Sequence, residues 1–110
     1  MKKIKLKEPR ESEIQKICLD YCKLKNVFAK RLNVGGMISH KDGKYIYNPY
    51  TARGMSDLLI VVEGLAIFAE IKRPTGKQSD NQRLFQAEAE RAGARYVIIR
   101  SLDDLIEIIK

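Results

Sequence analysis

The chain has 110 residues, of which 45% are hydrophobic and 32% charged. That is enough apolar material for one domain with its own core, and too much for an intrinsically disordered chain. Lys and Arg number 21 against 14 Asp and Glu, a net charge of +7, which points to an anionic partner, nucleic acid first, or to solubility alone. No apolar run approaches the ~18 residues of a membrane span, and the basic start MKKIKLKEPR has no apolar signal core. A cytoplasmic protein with no membrane partner is expected.

In chain order, residues 1–10 read as a flexible basic arm ended by Pro9, and residues 11–110 as a single domain. A helix is predicted over residues 10–25, with Ile14, Ile17, Cys18, Tyr21 and Leu24 recurring at three- and four-residue steps as its core stripe. Cys18 and Cys22 read as small core residues in a reducing compartment. A metal site would need more soft ligands, and the one histidine, His40, has no spacing relation to them. NVFAKRLNV, residues 26–34, alternates as a strand with Phe28, Lys30, Leu32 and Val34 on one face. Residues 35–54 are turn-rich and read as a long loop or a small hairpin. There Met37, Ile38, Tyr45, Tyr47 and Tyr50 either pack on their own domain or meet a partner.

DLLIVV and LAIFAEIK are strands apolar on both faces, as in a sheet covered on both sides. Ser79 then fits an N-cap, with Gln82 as its capping-box partner, for a helix running to Gly93. ARYVIIR is another buried strand, and Ser101 opens a short amphipathic helix. The order α-β-β-β-α-β-α gives an α/β domain with a mixed sheet flanked by helices.

The chemistry concentrates in GMSDLLIVVEGLAIFAEIKR. If Glu63-Gly64 is a two-residue hairpin turn, Val62 faces Leu65, Ile60 faces Ile67, and Asp57 faces Glu70 with Cβ atoms roughly 4.5–5.5 Å apart. Lys72 projects from the face of Glu70. A three-residue turn would shift this register by one. Opposed carboxylates beside an apolar sheet call for a proton or a cation between them. Two hard oxygen ligands suit Mg²⁺; the alternative is a strand-end ion pair with Lys72. Downstream lie Arg73 and Lys77, then a helix N-terminus at Ser79, a setting that receives phosphate. Gln82 either closes the capping box alone or points back to the carboxylates. Upstream, Arg31, Asn33 and Arg53 are candidate contacts to a phosphodiester backbone, or solvated surface residues.

The spacing SD, twelve residues, EIK resembles the PD-(D/E)XK nuclease motif. The ordered set ESEIQ, RLNVGG, RGMSDLLIV, FAEIKRPTGKQSDNQRLF and GARYVIIRSLDDL resembles the virus-type replication-repair nuclease (VRR-NUC) family, from about Glu11 to Ile109. The likeness is to small stand-alone, phage-associated members. It implies a restriction-endonuclease-like core and Mg²⁺- or Mn²⁺-dependent cleavage of DNA, branched DNA such as four-way junctions above all, by a homodimer, with no small-molecule substrate. It implies that Asp57, Glu70 and the main-chain carbonyl of Ile71 hold the metal, that Lys72 serves the attacking water and the phosphate, and that Gln82 matches the family's helix glutamine. A first-helix acid completes the shell, Glu11 or alternatively Glu13. Ser56 stands where the motif name has proline. The rival readings are a catalytically silent DNA-binding module acting with a replication or repair partner, and a protein-interaction domain.

Overall fold

The computed structural model describes residues 7–32, 37–38, 43, 45–46 and 54–110. Asn33, Arg53, Tyr47 and Tyr50 lie outside the described residues. In chain order the elements are α1 (Glu11–Leu24), β1 (Phe28–Arg31), β2 (Met37–Ile38), β3 (Tyr45–Ile46), β4 (Leu58–Val62), β5 (Leu65–Ile71), α2 (Asp80–Arg91), β6 (Arg95–Ile99) and α3 (Leu102–Ile109). The expected succession holds, with a small β2–β3 hairpin inserted between β1 and β4.

The main sheet has the order β1-β4-β5-β6. The β4–β5 hairpin runs from Val62↔Leu65 to Leu58↔Ala69, the register of a two-residue turn. Glu63 and Gly64 both take positive φ, 49° and 77°, as a type I′ turn requires, and its twist matches that of the strands it joins. β6 lies parallel to β5, so the chain must cross over between them, and α2 is that crossover. The mixed sheet follows: two antiparallel pairings and one parallel pairing.

One sheet face carries the core. Leu58, Ile60, Ile67, Ala69, Ile71 and Ile99 pack there against Ile14, Cys18 and Cys22 of α1 and Leu105 of α3. The sequence stripe on α1 needs correction. Its buried row is Ile14, Cys18 and Cys22, spaced by four, whereas Ile17 is 49% and Leu24 80% exposed. A seam one side chain wide selects the i, i+4, i+8 row, and hydrophobicity alone does not reveal which row that is. Both thiols are free; burial is the main cause that pushes Cys18 up to about 11, so it stays an inert core thiol.

α2 covers the other face more lightly. No residue of it is fully buried, and Phe85 seats it, edge-on to Phe68 at 5.3 Å between ring centroids and 6.2 Å from Tyr96. Its N-terminus is held by the complete capping box: Ser79 Oγ accepts from Gln82 N–H, and Gln82 Oε1 accepts from Ser79 N–H. β1 is shorter than its sequence pattern, ending at Arg31, after which Leu32 N–H still donates to the carbonyl of Asp57 at 2.8 Å.

Candidate active site

The hairpin register, continued one step beyond Leu58↔Ala69, sets Asp57 opposite Glu70. Strand alternation turns Asp57, Glu70 and Lys72 away from the Leu58–Ile60 core face, toward the side that α2 covers. Asp57 is pinned from two directions. Its Oδ2 accepts from Ile71 N–H at 2.8 Å, and its carbonyl accepts from Leu32 N–H. Ser56 is fully buried and its hydroxyl donates to the Leu58 carbonyl at 3.3 Å.

Glu70 is 2% exposed and Lys72 8%. A carboxyl so placed loses hydration, which disfavours its charged form. Burial first, then a hydrogen bond with Asp57 and that residue's charge, push Glu70 up to about 8; Lys72 pulls it down, and Glu11 adds to the rise. Glu11 is thus within electrostatic reach of Glu70. Glu13 instead pairs with Arg10 at 3.8 Å on the surface.

Gln82 does both things the sequence allowed. With Oε1 committed to Ser79 N–H, its amide group can only present N–H elsewhere, and Nε2 donates to Glu70 Oε1 at 2.8 Å. The helix cap therefore aims the donor that orients the carboxylate. Tyr96, which the sequence reading missed, completes the surround. Its hydroxyl lies 3.5 Å from Glu70 Oε2 and accepts from Gln78 Nε2 at 3.2 Å. Only the parallel β5–β6 register, Phe68↔Tyr96 and Glu70↔Ile98, brings it there.

Two further residues had escaped notice. Gly54, with φ +72°, lies directly against the first turn of α2, where a Cβ would come within 2.3 Å of Asn81 C and O. The "RG" before "MSD" was the available signal. Arg100 Nη1 donates to the carbonyls of Arg73, Pro74 and Gly76 at 2.8, 3.3 and 2.7 Å, holding the turn that leaves β5 immediately after Lys72.

The structure thus brings together Asp57, Glu70, Ile71, Lys72 and Gln82, with Glu11 near. Ser79 Oγ is committed to the helix cap. Arg73 and Lys77 are exposed on the turn, and Arg31 is exposed at the end of β1, paired with Leu58. Among the described residues no group of three or more His, Cys, Asp or Glu forms a metal cluster. The available donors are two hard carboxylates and the Ile71 carbonyl. They fit Mg²⁺ or Mn²⁺, ions that take few protein ligands and keep the remaining positions for water and phosphate. The raised Glu70 supports the fit, because a cation between the acids relieves the same repulsion that a proton does.

A pH signature follows for the metal-free protein. From 4.5, the ordinary value, to about 8, the folded site keeps a proton that the unfolded chain has lost. Glu70 then contributes stability that is full at low pH and is lost as pH rises through that window, by at most about 1.4 kcal/mol per pH unit. Urea unfolding at pH 5 and pH 8 in EDTA should show this loss in the parent and a flatter profile in Glu70→Gln. Equal slopes would mean that Glu70 ionises normally in the fold.

Among the described residues no helix is long and apolar enough to cross a membrane. No protein-family model matches the sequence, and no curated protein does. A solved structure titled "VRR_NUC domain" does match the fold, with a TM-score of 0.63 over 90% of this chain and 92% of that one, at 20% sequence identity. The mixed four-stranded sheet flanked by helices, with its acids at the end of the β4–β5 hairpin, therefore has the α/β fold of that VRR_NUC domain.

Proposed function

We propose that this chain is a divalent-metal-dependent endodeoxyribonuclease. The observation that carries the reading is one arrangement: Asp57, Glu70 and Lys72 on one face of a strand end, with Gln82 fixed on Glu70 Oε1. In this reading Asp57, Glu70 and the Ile71 carbonyl hold Mg²⁺ or Mn²⁺, with Glu11 adding negative charge nearby. When bound, the cation supplies Lewis acidity toward water and the scissile phosphate.

The chain's own groups do the rest. Gln82 and Tyr96 limit Glu70 to one orientation, and Ile71 N–H does the same for Asp57, so little reorganisation is left for the reaction. Lys72 lies on the same face. Its ammonium donates to the attacking water and offsets charge that builds on the phosphate oxygens as the P–O bond breaks. Arg31, Arg73 and Lys77 follow the DNA backbone, and Asn33 and Arg53 join them in this reading. The first turn of α2 at Ser79 faces the same backbone.

The finer substrate proposal is branched DNA such as a four-way junction. Two symmetric cuts there call for a C₂ dimer, and a phage-type protein working inside its host is the setting of this reading.

The test is cleavage of labelled linear duplex, flap and four-way junction DNA with Mg²⁺, Mn²⁺ or EDTA, beside Lys72→Ala. Expected are metal-dependent cuts, most on the junction, that fall by on the order of 10²–10³ in the variant, the scale of losing one electrostatic contact to a transition state. Salt-sensitive DNA binding without cuts under either metal would instead favour a silent DNA-binding module.

A further inference from the structure

The turn that leaves β5 holds an anion that belongs to the protein itself. Glu8, 67 residues away in sequence, places its carboxylate on Thr75. Oε1 accepts from Thr75 N–H at 2.7 Å and from Thr75 Oγ1 at 2.8 Å, and Oε2 lies 3.0 Å from the same hydroxyl. Arg73 Nε stands 4.0 Å from Oε2. The Glu8 carboxyl is held below its ordinary value, first by the Thr75 N–H and then by the Thr75 hydroxyl.

The turn that carries these donors does not depend on Glu8 for its shape. Gly76 N–H donates to the Arg73 carbonyl at 2.9 Å and closes the turn, Pro74 fixes its own φ within it, and Arg100 grips three of its carbonyls. With the turn closed in this way, Thr75 N–H has no backbone partner inside it, and its acceptor is Glu8 Oε1. The turn also packs over the site: a Cβ on Gly76 would lie 3.5 Å from Lys72 Cδ.

A backbone N–H, a hydroxyl and a guanidinium form the donor set that recognises a phosphate oxygen pair as readily as a carboxylate. The geometry points to a phosphodiester subsite made of Thr75 and Arg73 beside Lys72, which Glu8 occupies in the free protein and yields to the DNA backbone. This rests on the nuclease reading above. It adds Thr75 as a DNA contact and gives Glu8 the role of an internal competitor for the substrate.

Competition makes a numerical prediction. If Glu8 holds the seat about nine-tenths of the time, removing it tightens DNA binding about tenfold, because apparent affinity scales with the competent fraction. Glu8→Ala and Glu13→Ala change the charge equally, and both residues flank the start of α1. Duplex and junction binding would be followed by fluorescence anisotropy with Ca²⁺ in place of Mg²⁺. Glu8→Ala should gain about tenfold over the parent, and Glu13→Ala much less. Adding Thr75→Val to Glu8→Ala should cancel the gain, whereas Thr75→Val alone, which weakens competitor and substrate together, should change little.

A second arm needs no DNA. Inorganic phosphate titrated into ¹⁵N-labelled protein should shift the Thr75 amide saturably in Glu8→Ala, and in the parent only at about tenfold higher phosphate. Absence of that shift in the variant overturns the subsite. DNA that binds and is cut, but with equal gains for Glu8→Ala and Glu13→Ala, also overturns it and leaves the nuclease reading intact. A phosphate shift with no DNA binding by any variant overturns both the DNA role of the seat and the nuclease reading.

Discussion

Asp57→Asn should lose most of the cleavage activity while making the metal-free protein more stable. The two effects have one origin. Asp57 faces Glu70 across the hairpin end, and the repulsion is part of what raises Glu70 to about 8. Asparagine keeps an oxygen to accept the Ile71 N–H that Asp57 Oδ2 now accepts at 2.8 Å, so the local hydrogen bond survives and the charge does not. Relief of the like-charge contact should raise stability by about 1–2 kcal/mol near pH 8, the equivalent of roughly one pKa unit on Glu70. Alanine is the informative contrast. It also removes the charge but strands a backbone donor, at a cost of about 1–3 kcal/mol, so Asp57→Ala should fall below Asp57→Asn.

Activity should move the other way, because an amide replaces one of the two anionic ligands of the proposed metal site; a loss on the order of 10³-fold is expected. Mg²⁺ should stabilise the parent by mass action and leave the asparagine variant nearly unmoved. Urea midpoints with EDTA and with Mg²⁺, beside a cleavage assay, measure all of this. An asparagine variant less stable than the parent in EDTA would mean that the two acids do not repel each other in the folded state.

The parts of the site that were legible in the sequence are those set by local rules. The hairpin register follows from Glu63-Gly64, since a two-residue turn admits one pairing and strand alternation then assigns every side chain to a face. The capping box follows from Ser79 and Gln82 at their spacing. Even the second task of Gln82 is chemically implied once its oxygen is committed to the cap.

What escaped the sequence depends on contacts between distant segments. Tyr96 reaches Glu70 through a parallel pairing whose register no turn specifies. Arg100 is one of many exposed-looking arginines until its three carbonyl partners are seen. The core row on α1 falls on Cys22, which hydropathy does not separate from Ile17 or Leu24; only the helix's orientation over β1 and β5 does. Glu8 stood in a segment expected to be an arm, yet its carboxylate is tied to Thr75. In each case the residue type allowed the role, but only the tertiary packing selected it.

Gly54→Ala is the substitution expected to damage the fold most per atom added. Two independent costs meet at this position. With φ +72°, any residue bearing a Cβ is strained by about 1–2 kcal/mol. The added carbon would also stand 2.3 Å from both C and O of Asn81 and 2.6 Å from Gln82 N. All three are backbone atoms of a capped helix turn, so nothing flexible can swing aside. Relief requires α2 or the Gly54–Asp57 segment to move, and either motion separates Gln82 from Glu70 or Asp57 from Ile71.

Gly64 provides the control. Its φ is +77° and a Cβ there meets nothing within 4 Å, so Gly64→Ala carries the backbone cost alone, about 1–2 kcal/mol. Gly54→Ala should lose about 2 kcal/mol or more beyond that, in the range of overpacking a close-packed site. It should also lose cleavage out of proportion to its folded fraction, while Gly64→Ala retains cleavage. Denaturant unfolding of the two variants separates the contact from the backbone conformation. Equal destabilisation would show that α2 yields freely at its first turn, and the cap could not then be what aims Gln82 at Glu70.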